Sequence, residues 1–574
     1  MSELSFSALR ADGTVVESFS FERTDAGLVA IAGETVDAGI RVERRLADTD
    51  DPQWLVPGVF YGENRPAAST RIYPRYTATG VDIARMEADA WSFRADRCST
   101  PAVFARGGGL VTREESALGQ SGVGFAIDGR APLLRLHFPF REEPLRYDGS
   151  ERPAGADVRV YGWTAGERVE LEFAVHDGDD RVGVLRALHD GHEDPAWVDV
   201  EQAAALAAGG LLRWHYKPEP ARLIETAAFD RDGIGERGDR DHMHVSWVSG
   251  APYAYGLLRH GLRVGNDEYA DAGSSVLDSI AANLAPGGTF WAQWTAQAGW
   301  TTGWHPDRTR LHARTLADAT LFMQRACALR DEPLWRDAVR SNVDVALRVQ
   351  RDDGALPAAH RVDTGDAVSW EGTAGIAWIP ALVEAGELDA ARRAGEYYAQ
   401  FDAWHGAPED VDLAPTSEDG YAAVMAFVAL EEWACAKRAA DWMLTFRYTY
   451  DVAFPEHTML GAYGFKTRGA DQASPANQHL HSFGLICLPE MVRLAQATGD
   501  DFYLRTTREN LACFRQLVAR EDGDFNAMRG MVSERYYQTD CFAAKGMLGT
   551  LSHAWCVGVL LYACEAAVGL PELR

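Results

Sequence analysis

The stretch VSWVSGAPYAYGLLRHGLRVGNDEYADAGSSVLDSIAANL, Val245 to Leu284, decides the fold. Its apolar residues recur at helical spacing on both sides of a short polar turn, VGNDEY, which predicts two antiparallel helices over 245–262 and 266–284. The same unit returns downstream: 312–330 with 332–350, 373–387 with 388–403, 420–434 with 435–447, and 480–498 with 500–518. A last apolar helix is expected over 547–568. Turns within pairs are tight (LRDEP, EAGELD, ATGDD), whereas the joins between pairs, 285–311, 351–371, 404–419, 448–479 and 519–546, are long. If the hairpins close into a ring, alternate junctions share a rim, so the long connectors gather on one face. That face is where function is expected.

Upstream the period changes from helical to two. LSFSALR, TVVESFSFER, ADVRVYGW and VELEFAVHD alternate and are broken by DG, GD and GE turns, the pattern of an antiparallel β domain. Between the two textures lie a helical segment, AWVDVEQAAALAAGGLLRW, and a Pro/Gly-rich connector, KPEPARLIETAAFDRDGIGERG. The expected division is a β domain over 1–190, a helical linker over 191–240 and a helical domain over 241–574.

With 574 residues, 47% of them apolar and 24% charged, the chain can build two large cores and has no compositional mark of disorder. Its formal charge of -28 disfavours nucleic acid and anionic membranes as partners. No export signal and no membrane-spanning apolar run is read, so a cytoplasmic location is expected. The eight cysteines are scattered without a C-x-x-C pair, as for reduced, buried thiols. No cofactor or metal is expected. The oligomeric state, a homo-oligomer included, is open.

A β domain followed by six helical hairpins resembles the (α/α)6-toroid carbohydrate enzymes that carry an amino-terminal β-sandwich. WEGTAGIAW, Trp370 to Trp378, is similar to the small-residue helix starts of many toroids, unsaturated glucuronyl hydrolases among them. The resemblance implies an N-terminal antiparallel β-sandwich followed by a C-terminal (α/α)6 toroid, and a carbohydrate-active enzyme. The same scaffold hosts hydrolases, uronate lyases, epimerases and phosphorylases, so the chemistry must come from the rim.

The first long connector interleaves Trp291, Trp294, Trp300 and Trp304 with Gln293, Gln297, His305, Asp307, Arg310, His312 and Arg314. Aromatic rings stack on apolar pyranose faces while amides and charged groups bond the hydroxyls, the composition of a sugar subsite. Large loops also bury Trp as their own core. For glycosidic hydrolysis the chain needs one carboxyl kept protonated and one ionised. Candidates are Glu371, between Trp370 and small residues that would confine it, and Glu418 or Asp419 in PTSEDGY, where a helix start would explain the charge without catalysis. Asp471, Asp522, Asp524, Glu534 and Asp540 also fall in rim loops.

Two clusters suit different chemistry. ASPANQHLHSFG carries Asn477, Gln478, His479 and His481 into a predicted helix, and SERYYQTDCF carries Arg535, Tyr536 and Tyr537. Asn or Arg to neutralise a uronate, with His or Tyr to move the proton, equips a β-elimination. His242 and His244 in GDRDHMHVSW are assigned to a substrate-contacting lip, against a helix start capped by Asp241. VPGVFYGENRPAASTRIYPRYTATG, with Tyr61, Asn64, Arg65, Arg71, Tyr73, Arg75 and Tyr76, is expected over the toroid mouth. The leading expectation is exo-acting carboxylate hydrolysis of an oligosaccharide. Elimination on a uronate glycan is the alternative, followed by epimerisation, phosphorolysis or glycan binding without catalysis.

Overall fold

The computed structural model describes residues 3–149, 153–189, 197–227, 240–409, 413–549 and 552–573. Part of the Pro/Gly-rich connector, 228–239, lies outside them. Among the described residues no helix is long and apolar enough to cross a membrane, and no group of three or more His, Cys, Asp or Glu is placed to hold a metal ion.

Among the described residues, twelve helices build the C-terminal part: α1 (Val200–Gly210), α2 (Ala251–Val264), α3 (Asp267–Ala281), α4 (Ala313–Leu329), α5 (Pro333–Val349), α6 (Trp378–Glu384), α7 (Leu388–Tyr398), α8 (Ser417–Ala429), α9 (Trp433–Leu444), α10 (Leu488–Thr498), α11 (Asp501–Arg515) and α12 (Ala554–Val568). Two shorter helices, Arg181–Leu188 and Met459–Ala462, belong to connectors. Helices α2, α4, α6, α8, α10 and α12 pack each on the next, and α12 returns to α2, closing an inner ring. Around it α3, α5, α7, α9 and α11 each pair with the inner helix before them, and α1 pairs with α12. The segment expected as a linker therefore supplies the outer partner of the last helix, and the six hairpins are complete.

Burial explains the two rings. Inner helices touch neighbours on every side, and α8 and α12 are buried along almost their whole lengths. Outer helices such as α5 and α11 keep one wet face. Where α12 crosses α2, Gly558 faces the Tyr253 ring so closely that a Cβ would overlap it. Expected helix starts move where strands intervene. His242–His244 is a strand, α2 begins only at Ala251 after Gly250, and Asp241 is bonded to Arg222 at 2.7 and 2.8 Å instead of capping a helix.

The N-terminal part is antiparallel, as its alternation predicts. A seven-stranded sheet runs Trp91–Arg94, Gly122–Asp128, Ala131–Phe138, Val36–Arg45, Glu3–Leu9, Val15–Val16, with Tyr161–Trp163 also on Val36–Arg45. A five-stranded sheet runs Ala174–Asp177, Gly108–Val111, Ala102–Ala105, Leu55–Val56, Phe60–Tyr61. Both sheets contribute to one apolar core containing Val42, Val103, Leu110, Phe125 and Leu134.

The two parts meet through a buried polar plug, the segment Arg94–Thr100. Arg97, fully buried, donates to Gln478 Oε1 at 3.0 Å and pairs with Glu142 at 2.5 Å. Arg94 grips Asp540 with two bonds of 3.1 and 2.5 Å. Lys545 reaches Asp96 and Glu114 at 3.0 and 3.1 Å. Tyr61 stacks on Phe446 just past α9 and bonds Thr445 at 3.0 Å, Asn64 and Arg65 brace their own loop, and Pro66, Ala68, Ser69 and Thr70 of the same stretch border a rim cleft with His312 and Glu371.

Candidate active site

Short antiparallel sheets inserted between the hairpins form the rim. One contains His242–His244, Gln293–Thr295 and Gly299–Thr301; another contains Asp471–Ser474, Asn477–His481, Arg535–Tyr536 and Leu548–Gly549. The second sheet, the starts of α8 and α12, and Arg240 and Trp304 from segments flanking the first sheet line a central cavity of about 330 Å³. Trp304, Glu418, Asn477 and Arg535 all border it, so connectors far apart in sequence converge on one face.

The Asn477–His481 strand explains its own division of labour. Side chains alternate along a strand. Asn477 and His479 border the cavity, while Gln478 turns away and takes the hydrogen bond from Arg97. His479 is 3% exposed, and its Nδ1 has no hydrogen-bond partner. Burial, with Arg535 and Arg71 nearby, pushes its pKa well below the ordinary value, which leaves a neutral imidazole at neutral pH.

His481 is different. Its Nδ1 accepts from Phe483 N at 3.2 Å, and its Nε2 faces Ser417 Oγ at 3.3 Å. His244 is held in the same way, between Ser246 N at 3.2 Å and Thr315 Oγ1 at 3.3 Å. Both rings have their nitrogens occupied and pack in an aromatic cluster: His244 on Trp304 at 5.0 Å and His481 on Trp555 at 5.3 Å. They support the cavity wall; neither borders the cavity.

The carboxylate candidates separate. Glu418 borders the cavity and is ion-paired with buried Arg314, whose guanidinium lies 4.7 Å from the Trp247 ring and 4.8 Å from Phe483. Arg314 is thus a support beneath the wall instead of a substrate contact. Asp419 closes a helix cap, accepting from Ala407 N at 2.8 Å and Thr416 Oγ1 at 2.7 Å, and burial pushes its carboxyl up to about 7. Glu371 is exposed, which corrects the confined setting expected for it, and borders a separate cleft of about 330 Å³ with Arg310 and His312. His312 there is buried and faces Gly406 O at 3.1 Å. Asp471 is locked to Arg447, and Asp540 to Arg94.

The remaining candidates scatter. Trp304 borders the central cavity and Trp291 a neighbouring one, which His242 also borders, whereas Trp294 lies under Arg222 and Trp300 packs against the core. Arg535 faces the cavity, while Tyr536 is buried against Phe465 and Tyr537 lies behind Arg535. Sequence reasoning passed over Glu225, Arg240, Trp247, His553 and Trp555, all of which border the cavity. Glu225 pairs with Arg240 and lies 3.6 Å from His553. Burial pushes its carboxyl up, but His553 and Arg240 outweigh that and hold it below the usual range. A glutamate inside the apolar run LIETAA was the available signal for it.

The molecule is a closed toroid of helical hairpins with a polar, aromatic cavity at its rim. No family model and no curated protein matches the chain. Among solved structures it is similar to a polysaccharide lyase (11% identity, 98% of this chain and 92% of that one, TM-score 0.48). It is also similar to a D-mannose isomerase (12%, 66% and 100%, 0.47) and a cellobiose 2-epimerase from Spirochaeta thermophila (11%, 65% and 98%, 0.44).

Proposed function

We propose that the protein is a carbohydrate-active enzyme that cleaves a uronate-containing oligosaccharide by β-elimination. The observation that carries this reading is His479, a buried neutral imidazole with an unpartnered nitrogen, bordering the cavity beside Asn477 and Arg535. Asn477 and Arg535 take the uronate carboxylate, which acidifies the proton on the neighbouring carbon. His479 removes that proton, the electron pair forms the new double bond, and the glycosidic oxygen departs. The proton on His479 passes to that oxygen, so the base ends as it began. Trp247, Trp304 and Trp555 offer apolar surface to the sugar rings. In this reading the N-terminal part is a β-sandwich that leans on the toroid and narrows its mouth.

Hydrolysis is the second reading, favoured by Glu225, Glu418 and Glu534 all bordering one cavity. Against it, each has a cation beside it: Arg240, Arg314 and Arg535 respectively. A proton-donating acid needs the opposite surroundings. The test is digestion of neutral and uronic-acid oligosaccharides, following ultraviolet absorbance of an unsaturated uronate alongside new reducing ends. Absorbance rising in step with cleavage is expected. Reducing ends without absorbance would replace elimination by hydrolysis.

A further inference from the structure

Beside the central cavity lies a second one of about 620 Å³, bordered among others by His242, Trp291, Gln293, Gln297, Thr302 and Trp304. Trp304 borders both cavities, so its indole is the partition between them. His244 stacks against that ring at 5.0 Å with an interplanar angle of 17°, and Trp304 remains 39% exposed.

Two polar groups in this second cavity are unmatched. Gln293 and Thr302 are each 4% exposed, and neither Gln293 Nε2 nor Thr302 Oγ1 has a hydrogen-bond partner. A buried amide donor and hydroxyl left in this way are destabilising, and a ligand carrying hydroxyls relieves both. None of the described lining residues is Asp or Glu, and Arg308 turns one guanidinium N–H back onto Gly303 O. Indole rings, amides and hydroxyls make up most of the lining. Indole surface with amides and hydroxyls is what a neutral pyranose fits, its apolar face on the ring and its edge on the polar groups.

We infer that this cavity is a second sugar subsite, taking a neutral pyranose unit joined to the uronate across Trp304. The inference rests on the reading of the central cavity as the uronate site. Its test uses the full chain and two substrates, a uronate-containing disaccharide and the same unit extended by one neutral pyranose. The wild type prefers the longer substrate. In Gln293→Leu and Trp291→Ala the ratio of kcat/KM for the longer over the shorter substrate falls about tenfold. An unchanged ratio in both variants overturns the subsite.

A second measurement needs no turnover. A neutral trisaccharide should quench the tryptophan fluorescence of the wild type saturably, and Gln293→Leu should weaken that binding. If no glycan yields an unsaturated product while Gln293-dependent binding persists, the elimination reading fails and the subsite stands. If elimination proceeds equally on both substrates and no neutral sugar binds, the subsite fails and the elimination reading stands.

Discussion

The central cavity has two walls held by different means. On one side Glu418 stands at the start of α8 and is braced by Arg314 of α4, so both residues are rooted in the helical ring. On the other, Asn477, His479, Glu534 and Arg535 sit on short rim strands and connectors. Those segments are pinned from outside by the N-terminal plug, through Arg97 to Gln478, Arg94 to Asp540 and Lys545 to Asp96 and Glu114. The lesson is that the helices position a supporting carboxylate, whereas the β part positions the proposed base.

The sharpest break of this contrast is at the base itself. His479→Gln should lower kcat about a thousandfold with binding of the oligosaccharide retained, followed by formation of unsaturated product. Near-normal turnover would move the chemistry to the helical wall. Next comes the pin. Arg97→Met leaves Glu142 buried without its cation and should cost about 3–5 kcal/mol in denaturant unfolding, with most of the loss recovered in Arg97→Met combined with Glu142→Leu. A loss below about 1 kcal/mol would mean the plug is not what holds the strand wall.

Glu418→Gln tests the helical wall. Elimination predicts less than about a tenfold fall in kcat, and a loss of orders of magnitude would favour hydrolysis.

Asp419, one residue on, gives a pH signature. Burial raises its carboxyl from 3.8 to about 7, so the folded state keeps a proton that the unfolded chain gives up between those values. Its effect on stability is therefore absent below about pH 4, and stability is lost as pH rises towards 7, by up to about 4 kcal/mol. Asp419→Asn mimics the protonated form and should flatten unfolding midpoints over that range; an undiminished slope would place the effect elsewhere. Glu371→Gln, away from both walls, should change kcat less than about twofold, and a large loss would reopen the cleft beside Arg310 as the site.

The helical ring was legible because an apolar stripe repeated at helical spacing has few other readings. What misled was the rim. NQHLH reads as the start of a helix because it runs directly into the apolar SFGLICL, yet it pairs as a strand before a 3-10 turn leads into α10. Likewise HMH pairs with Gln293–Thr295 across a connector, a partner that no local pattern specifies. Of the cavity residues, Trp304, Glu418, Asn477, His479, Glu534 and Arg535 were nominated from composition. Their roles were not readable, since His479 and His481 differ only in which hydrogen bonds the fold gives them. Glu371 precedes inner helix α6 and Glu418 lies in the first turn of α8, and burial with the Arg314 pairing separates them. Glu225 and His553 meet across more than half the chain, a distance that periodicity does not bridge.

The pairing of α1 with α12 sets an order of assembly. Five hairpins join neighbours in sequence and can form as the chain leaves the ribosome, but the sixth joins Val200–Gly210 to Ala554–Val568. Until the last segment is made, the faces of α1 and α2 that α12 will cover stay open to solvent. Closure is thus the most non-local step of ring assembly, and it cannot precede the synthesis of α12. Glu225 and His553 border the cavity from the two ends of that seam, so the pocket is finished only once α12 has docked.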